Sequence, residues 1–192
     1  MADILVDLIF LSGSSQIGSA NWRLATAAAA LTSTAFESEA TATVIDLSDL
    51  ALPNFSESDD VAKEIPLDAV MLRNRLLQAD GVFMSSDEYT GAYSALLKNA
   101  IRWLSALDAE SETPFRGISV ALCGASSRGA GALRGQPALA QLLTELGARV
   151  ISQYLEVGTA PGLFDEQGRL RQRFEQQLVD GCLSRLVAAQ SR

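Results

Sequence analysis

Histidine is absent from this sequence. That excludes a Ser-His-Asp or Cys-His hydrolase within the chain, because both need an imidazole to move the nucleophile's proton. It also excludes an imidazole-based metal site, and no metal site is expected. Cysteine is scarce. Cys123 and Cys182 are the only two, far apart in sequence and without a CxxC pair. They read as small buried hydrophobes of a reducing compartment. Long apolar runs are missing too. The stretch from Ile4 to Leu11 is broken by Asp7 and runs into Ser12-Gly13-Ser14. No basic segment precedes it, and a membrane span needs about 20 apolar residues. The expectation is a soluble cytoplasmic chain with no membrane partner. Basic residues are outnumbered, 15 Lys and Arg against 23 Asp and Glu, for a net charge of −8. This argues against a general nucleic-acid or anionic-membrane surface. It does not exclude a small anion held by backbone donors.

What is present is an alternating pattern. The chain has 192 residues, 48% of them hydrophobic, enough for a core without disulfides or metal, and is read as one domain spanning 1–192. Short apolar runs at Ile4–Ser12, Thr43–Leu47, Gly81–Ser86, Ile118–Cys123 and Arg149–Leu155 read as strands. Helical spacing falls between them, over Ser19–Phe36, Leu67–Ala79 and Ala95–Leu107. Leu139, Leu142, Leu143 and Leu146 form an i, i+3, i+4, i+7 stripe closed by Gly147. Leu170, Phe174, Leu178 and Cys182 mark a final helix. Strands alternating with helices imply an α/β domain with a parallel sheet. Pro53–Pro66, Asp108–Arg116 and Glu156–Phe164 are the longer connections, read as lids, subunit contacts or plain loops.

The first loop, Gly13-Ser14-Ser15-Gln16-Ile17-Gly18-Ser19-Ala20-Asn21, opens a helix. A Gly- and Ser-rich loop there presents unpaired N–H groups that favour a phosphate. Ser14, Ser19 and Asn21 add side-chain donors, although Ser19 or Asn21 as a plain helix cap explains them as well. Gly13 and Gly18 have Walker A spacing, but Ser19-Ala20 replaces the lysine and the magnesium-binding hydroxyl, which argues against ATP or GTP hydrolysis. The spacing is not GxGxxG either. Asp46 is too distant from Gly13 to be a ribose-binding acid and reads as a cap. A mononucleotide phosphate such as that of FMN remains.

Two further loops follow strands, where open parallel sheets bind ligands. One runs from Ser85 to Ser94 and leads into Leu97-Lys98-Asn99 and Trp103; the other is the glycine-rich stretch Gly124 to Arg134. With Gly13-Ser14, Ser19, Asn21, Leu24 and Ala25 in the first loop and Glu88-Tyr89 in the second, the chain resembles the NAD(P)H-dependent FMN reductase family. The likeness extends over nearly the whole chain. It implies a flavodoxin-like three-layer α/β sandwich, with a five-stranded parallel sheet in order 2-1-3-4-5 and helices on both faces.

The resemblance also implies a function. The chain would be an FMN-dependent oxidoreductase taking hydride from NADPH or NADH and passing electrons to a flavin, quinone or similar small acceptor. Ser14, Gln16, Ser19, Ala20 and Asn21 would surround the FMN phosphate. Asp87, Glu88, Tyr89 and Thr90 would flank the flavin ring, and Ser126, Gly129 and Gly131 would shape its other edge. No side chain need act as a catalytic acid or base, since the flavin carries the chemistry. A homodimer or homotetramer is implied as well. Trp103 reads as a packing or subunit-interface residue, and Lys98 and Asn99 as loop-orienting or capping residues.

Three positions depart from the family pattern: Gln16 stands for an arginine, Asp87 for a proline and Thr90 for an asparagine. Losing one charge-assisted contact at Gln16 weakens FMN binding by about tenfold to a hundredfold. The alternatives are a flavodoxin-like electron carrier and a family member that has lost tight flavin binding.

Overall fold

Alternation along the central strands places apolar side chains on both faces of a sheet. In the computed structural model, β1 (Val6–Ser12) turns Leu8 and Phe10 to one face and Ile9 and Leu11 to the other. β3 (Gly81–Ser85) does the same with Phe83 against Val82 and Met84. Strands buried on both faces need helices on both, which is the parallel α/β solution. The structure describes residues 5–56, 65–107, 113–125, 134–157, 163–166, 169–171 and 179–189, with 152–157 and 179–180 described by backbone alone.

Five parallel strands form the main sheet in the order β2-β1-β3-β6-β7, where β2 is Ala40–Asp46, β6 Ser119–Ala125 and β7 Arg149–Val157. Counting only these strands, the order is the expected 2-1-3-4-5. Register brings Ser12 beside Ser85 and Ser85 beside Cys123 at the carboxyl ends. One face is covered by α1 (Ala20–Ala35), whose Leu24, Ala25 and Ala28 pack on Leu8, Phe10 and Phe83. The other carries α2 (Leu67–Gln78), α3 (Ala95–Ala106) and α4 (Gly135–Glu145), with Leu72, Leu97, Ile101 and Leu139 packed on Ile9, Val82 and Leu122.

Helix ends follow their caps. Ser19 Oγ accepts the Trp22 N–H at 3.0 Å to start α1, and Ser94 Oγ accepts the Leu97 N–H at 3.1 Å to start α3. α4 stops at the expected glycine. Gly147 takes φ +92, its N–H donates to Thr144 O, and the next N–H donates to Leu143 O. This double bond pattern satisfies carbonyls that the helix end leaves open.

Some expectations shift. β2 begins at Ala40 rather than Thr43 and ends at Asp46, whose Oδ1 caps a short 3₁₀ turn by accepting the Ser48 N–H at 3.1 Å. A hairpin of β4 (Glu88–Tyr89) and β5 (Ala92–Tyr93) follows β3, which strand-length apolar runs do not reveal. Leu170 does not open the final helix; it pairs in an antiparallel bridge with Phe164. Cys182 falls in a π-helical turn, Val179–Leu183, and α5 (Ser184–Ala188) follows. Phe174 and Leu178 lie outside the described residues.

Neither cysteine forms a disulfide, and both are buried in the same core layer as α1. Burial, reinforced by the neighbouring Cys182, pushes the Cys123 thiol well above its ordinary value. Among the described residues no helix is long and apolar enough to cross a membrane.

Candidate functional site

The carboxyl ends of β1, β3 and β6 meet at one edge of the sheet, and loops leave from each. Loop one lies against the β3 end. The Gly13 N–H donates to Ser85 O at 2.7 Å, and Gly13 O accepts from the Ser94 hydroxyl at the start of α3. This packing is tight. A Cβ on Gly13 would come within 3.2 Å of Leu97 Cβ, so glycine lets the loop sit close to α3.

Within loop one, several donors are already used and several are open. Ser14 Oγ accepts the Gln16 N–H at 3.2 Å, and the Ser19 N–H donates to Gln16 O at 3.1 Å. Ser14 and Ser19 thus accept from backbone with their oxygens, while their hydroxyls find no acceptor among the described residues. The N–H groups of Ser15, Ile17 and Gly18 have no protein partner among the described residues. Residues 15–18 are exposed, and Gly18 takes φ +66 in open space. Ala20, half-buried, opens α1 behind them. The hydroxyl of Ser12, fully buried at the floor, is also unpartnered. Donors of this kind at a helix start suit an anion.

Asn21 stands apart from this cradle. Its side chain is fully buried and all four amide positions are filled. Oδ1 accepts the Ser85 hydroxyl at 2.7 Å and the Ala125 N–H at 2.8 Å; Nδ2 donates to Ala125 O at 3.0 Å and to Asp87 Oδ1. Expected at the phosphate, Asn21 instead ties the ends of β3 and β6 to α1. Ser19 does cap the helix, as the plainer reading of it held.

Loop two is the hairpin. Thr90 and Gly91 take φ +51 and +82, the pair of positive values that a tight two-residue hairpin turn requires. Asp87, half-buried, accepts from Asn21 with one oxygen and from the Tyr89 hydroxyl, at 3.4 Å, with the other. The Asp87 charge, and after it burial, hold the Tyr89 phenol above its ordinary value, while a contact with Ser15 opposes the shift. Tyr89 is exposed, so its ring covers the site's rim rather than filling the core.

The Glu88 side chain turns the other way. Its Oε2 accepts the Arg134 N–H at 3.0 Å, and its Oε1 accepts Arg134 Nε at 2.9 Å and Nη2 at 2.7 Å. Glu88 thereby caps the start of α4, which has no cap of its own. A Cβ on Gly135 would lie 2.9 Å from Ala92 C and Tyr93 N, so glycine lets the hairpin rest directly on α4. Sequence reasoning placed Glu88 beside the ring and missed this cap, because its partner lies 46 residues away.

Trp103 is buried, and its indole N–H donates to Pro53 O at 2.7 Å. Asn99 accepts the Phe55 N–H at 2.8 Å and donates to Pro53 O at 3.0 Å. These two motif residues therefore fasten the segment after β2 onto α3, the packing and orienting roles read for them. Ser126, Gly129 and Gly131 lie outside the described residues.

Comparison with known proteins bears on the family and the fold. The profile of the family described as NADPH-dependent FMN reductase matches residues 6–162. An NADH:(hydroxy)cinnamate reductase subunit of Vibrio ruber is 34% identical over 70% of this chain, and the match spans 64% of that protein. An NAD(P)H-dependent FMN reductase of Pseudomonas aeruginosa is 33% identical over 70% of this chain and 74% of its own. The structure of a flavoenzyme NAD(P)H:(acceptor) oxidoreductase from Paracoccus denitrificans superposes with a TM-score of 0.76, covers 96% of each chain and is 20% identical, a likeness of fold. The fold is flavodoxin-like, and the chain belongs to the NADPH-dependent FMN reductase family, a family of flavin-dependent oxidoreductases.

Proposed function

We propose that this chain, as a single domain, is an FMN-dependent NAD(P)H:acceptor oxidoreductase. The observation that carries the reading is loop one. It opens α1 with N–H groups at Ser15, Ile17 and Gly18 and two serine hydroxyls that find no acceptor among the described residues, and residues 15–18 are exposed to solvent. These groups fit a phosphate, with Gln16 adding an uncharged donor. The hairpin from Glu88 to Thr90 would flank the flavin ring through its backbone, and Ser126, Gly129 and Gly131 would close the other edge.

When bound, FMN supplies the redox chemistry, accepting hydride from NADH or NADPH and passing electrons to a small acceptor such as a flavin or quinone. The chain's own part is placement. Asn21 fixes the ends of β3 and β6 relative to α1, and Gly13 lets loop one sit against α3. Glu88 joins the hairpin to Arg134 at the start of α4, so that loop two and that helix start share one support. Residues positioned in this way need not transfer protons. A homodimer or homotetramer in the cytoplasm completes the reading. Its support is the exposed apolar side chains Leu67 and Met71 on α2.

Titration of the purified protein with FMN, followed by visible absorbance and flavin fluorescence, tests the reading. One FMN per chain, with NAD(P)H oxidation when a quinone or free flavin is supplied, is the expected result. Bound FMN without NAD(P)H oxidation would leave an electron carrier instead. Absence of binding would remove the enzymatic reading.

A further inference from the structure

α1 has a side that the flavin reading does not use. Leu24, Ala25 and Ala28 face the sheet. A second stripe of the helix leaves a groove of about 520 Å³ against the chain around Leu170. Pockets for small molecules commonly measure about 300–1,000 Å³. The groove follows the helix from Arg23 to Thr34, a length of about 16 Å at a rise of about 1.5 Å per residue.

Its chemistry is mixed. Ala27 and Ala30 give a floor without bulk, and Leu31 and Leu170 give apolar walls. The Arg23 guanidinium lies 3.9 Å over the Phe164 ring, which fixes its place. Arg169 comes from the opposite wall, where Asp165 accepts its N–H at 2.8 Å and its Nε at 3.0 Å. The described residues that line the groove therefore bring two guanidiniums and no carboxylate. Thr26, one turn after Arg23, adds a hydroxyl at the same end. Farther along the helix, Thr32, Ser33 and Thr34 return their hydroxyls to carbonyls four residues back, at 3.0 to 3.2 Å. The buried Oγ1 of Thr26 has no hydrogen-bond partner among the described residues. A buried hydroxyl left unpaired is a cost unless a ligand or water completes it.

We propose that this groove binds a small carboxylate with an extended apolar body. The head sits on Arg23 and the Thr26 hydroxyl, and the body lies along Ala27, Ala30 and Leu31. Charge complementarity sets the polarity, since a planar guanidinium offers a carboxylate two parallel N–H donors. A pair of fixed cations lining one groove is also a local exception in a chain of net charge −8. Binding here does not depend on FMN.

The probe is octanoate, with 1-octanol as its uncharged counterpart. Isothermal titration gives the Kd of each for the wild-type protein, Arg23→Gln and Ala30→Phe, and circular dichroism checks that the variants fold. Ala30 is exposed, so a larger side chain there enters the groove and leaves the core alone. The wild type is expected to bind one octanoate per chain, and 1-octanol at least about tenfold more weakly. Arg23→Gln should raise the octanoate Kd by about tenfold and the 1-octanol Kd by less than about threefold. Ala30→Phe should weaken both. Trp22 lines the groove while Trp103 is buried, so octanoate should also shift the Trp22 emission to the blue. No binding at millimolar octanoate overturns the proposal, and so does an octanoate Kd that Arg23→Gln leaves unchanged. Displacement of octanoate by FMN would put the probe in loop one and overturn it too. A dimer that Ala30→Phe dissociates, with no octanoate bound, would give the groove to a second copy of the chain instead.

Discussion

The Asn21 amide pairs with Ala125 as a neighbouring strand would, accepting its N–H at 2.8 Å and donating to its carbonyl at 3.0 Å across 104 positions of sequence. The β6 end thereby finds backbone-like partners in a side chain from α1. Asn21→Ala would leave both Ala125 groups and the Ser85 hydroxyl without those partners in a buried place. Each such orphan costs about 1–3 kcal/mol, so a loss on the order of 3 kcal/mol is expected in denaturant titrations. Asn21→Asp should be worse, because it turns an oxygen toward the Ala125 carbonyl and the Asp87 carboxylate. An aspartate variant as stable as the wild type would contradict this role.

The order of strands and helices was legible because apolar alternation and helical spacing are local signals. Gly147 was legible for the same reason, since a glycine after a leucine stripe is a stop in any context. Loop one was legible as a glycine- and serine-rich turn that opens a helix, but the duties of its residues were not. Asn21 and Ser19 have the same chemistry whether they face a ligand or the backbone, and only the approach of β6 decides. Glu88 was singled out by its motif, but its bonds to Arg134 at the start of α4 were not legible, since α4 is brought to it by folding. Leu170 has helical spacing from Phe174, yet it pairs with Phe164, a contact between segments that periodicity does not encode.

Thr90 is a β-branched residue held at φ +51, where its side chain crowds the backbone. The hairpin turn demands that conformation there, and asparagine tolerates it far better. Thr90→Asn is expected to stabilise the protein by about 1 kcal/mol, part of the cost of holding a branched residue in this region. For a chain of this size that corresponds to a rise in Tm of roughly 2–4 °C by calorimetry. A Tm that falls would mean that the threonine hydroxyl's bond to Tyr89 O outweighs the strain.

The Glu88 carboxylate is only 7% exposed, whereas the Arg134 side chain is 74% exposed. That asymmetry separates two contributions to the same contact. The ion pair is largely solvated and worth about 0–1 kcal/mol, so Arg134→Ala should cost little. The cap on the Arg134 N–H and the charge at the start of α4 survive in Arg134→Ala and are lost or weakened in Glu88→Gln. A cost of about 1–2 kcal/mol is expected for Glu88→Gln, read from urea midpoints. Equal costs for the two variants would assign the contact to the ion pair instead.

Asp7 anchors the opposite end of the sheet. Its carboxylate receives Arg75 Nη1 at 2.6 Å and Nη2 at 3.0 Å, and Arg75 Nη2 also donates to Thr43 Oγ1 at 2.8 Å. Hydrogen bonding from Arg75 is the leading cause that holds the Asp7 carboxyl below its ordinary value, with partial burial opposing it. A depressed folded-state pKa contributes stability that is fully present above the unfolded value, about 3.9. That contribution disappears as pH falls through the lower, folded value. Asp7→Asn has no such proton to bind. Urea midpoints of wild type and Asp7→Asn, measured from about pH 6 down to about pH 2.5, should therefore converge in the acid range. The wild type should be the more stable near neutrality, where the bidentate contact with Arg75 is intact. A stability difference that stays constant across this range would show that Asp7 binds its proton alike in the folded and unfolded chain, and that Arg75 does not bias it.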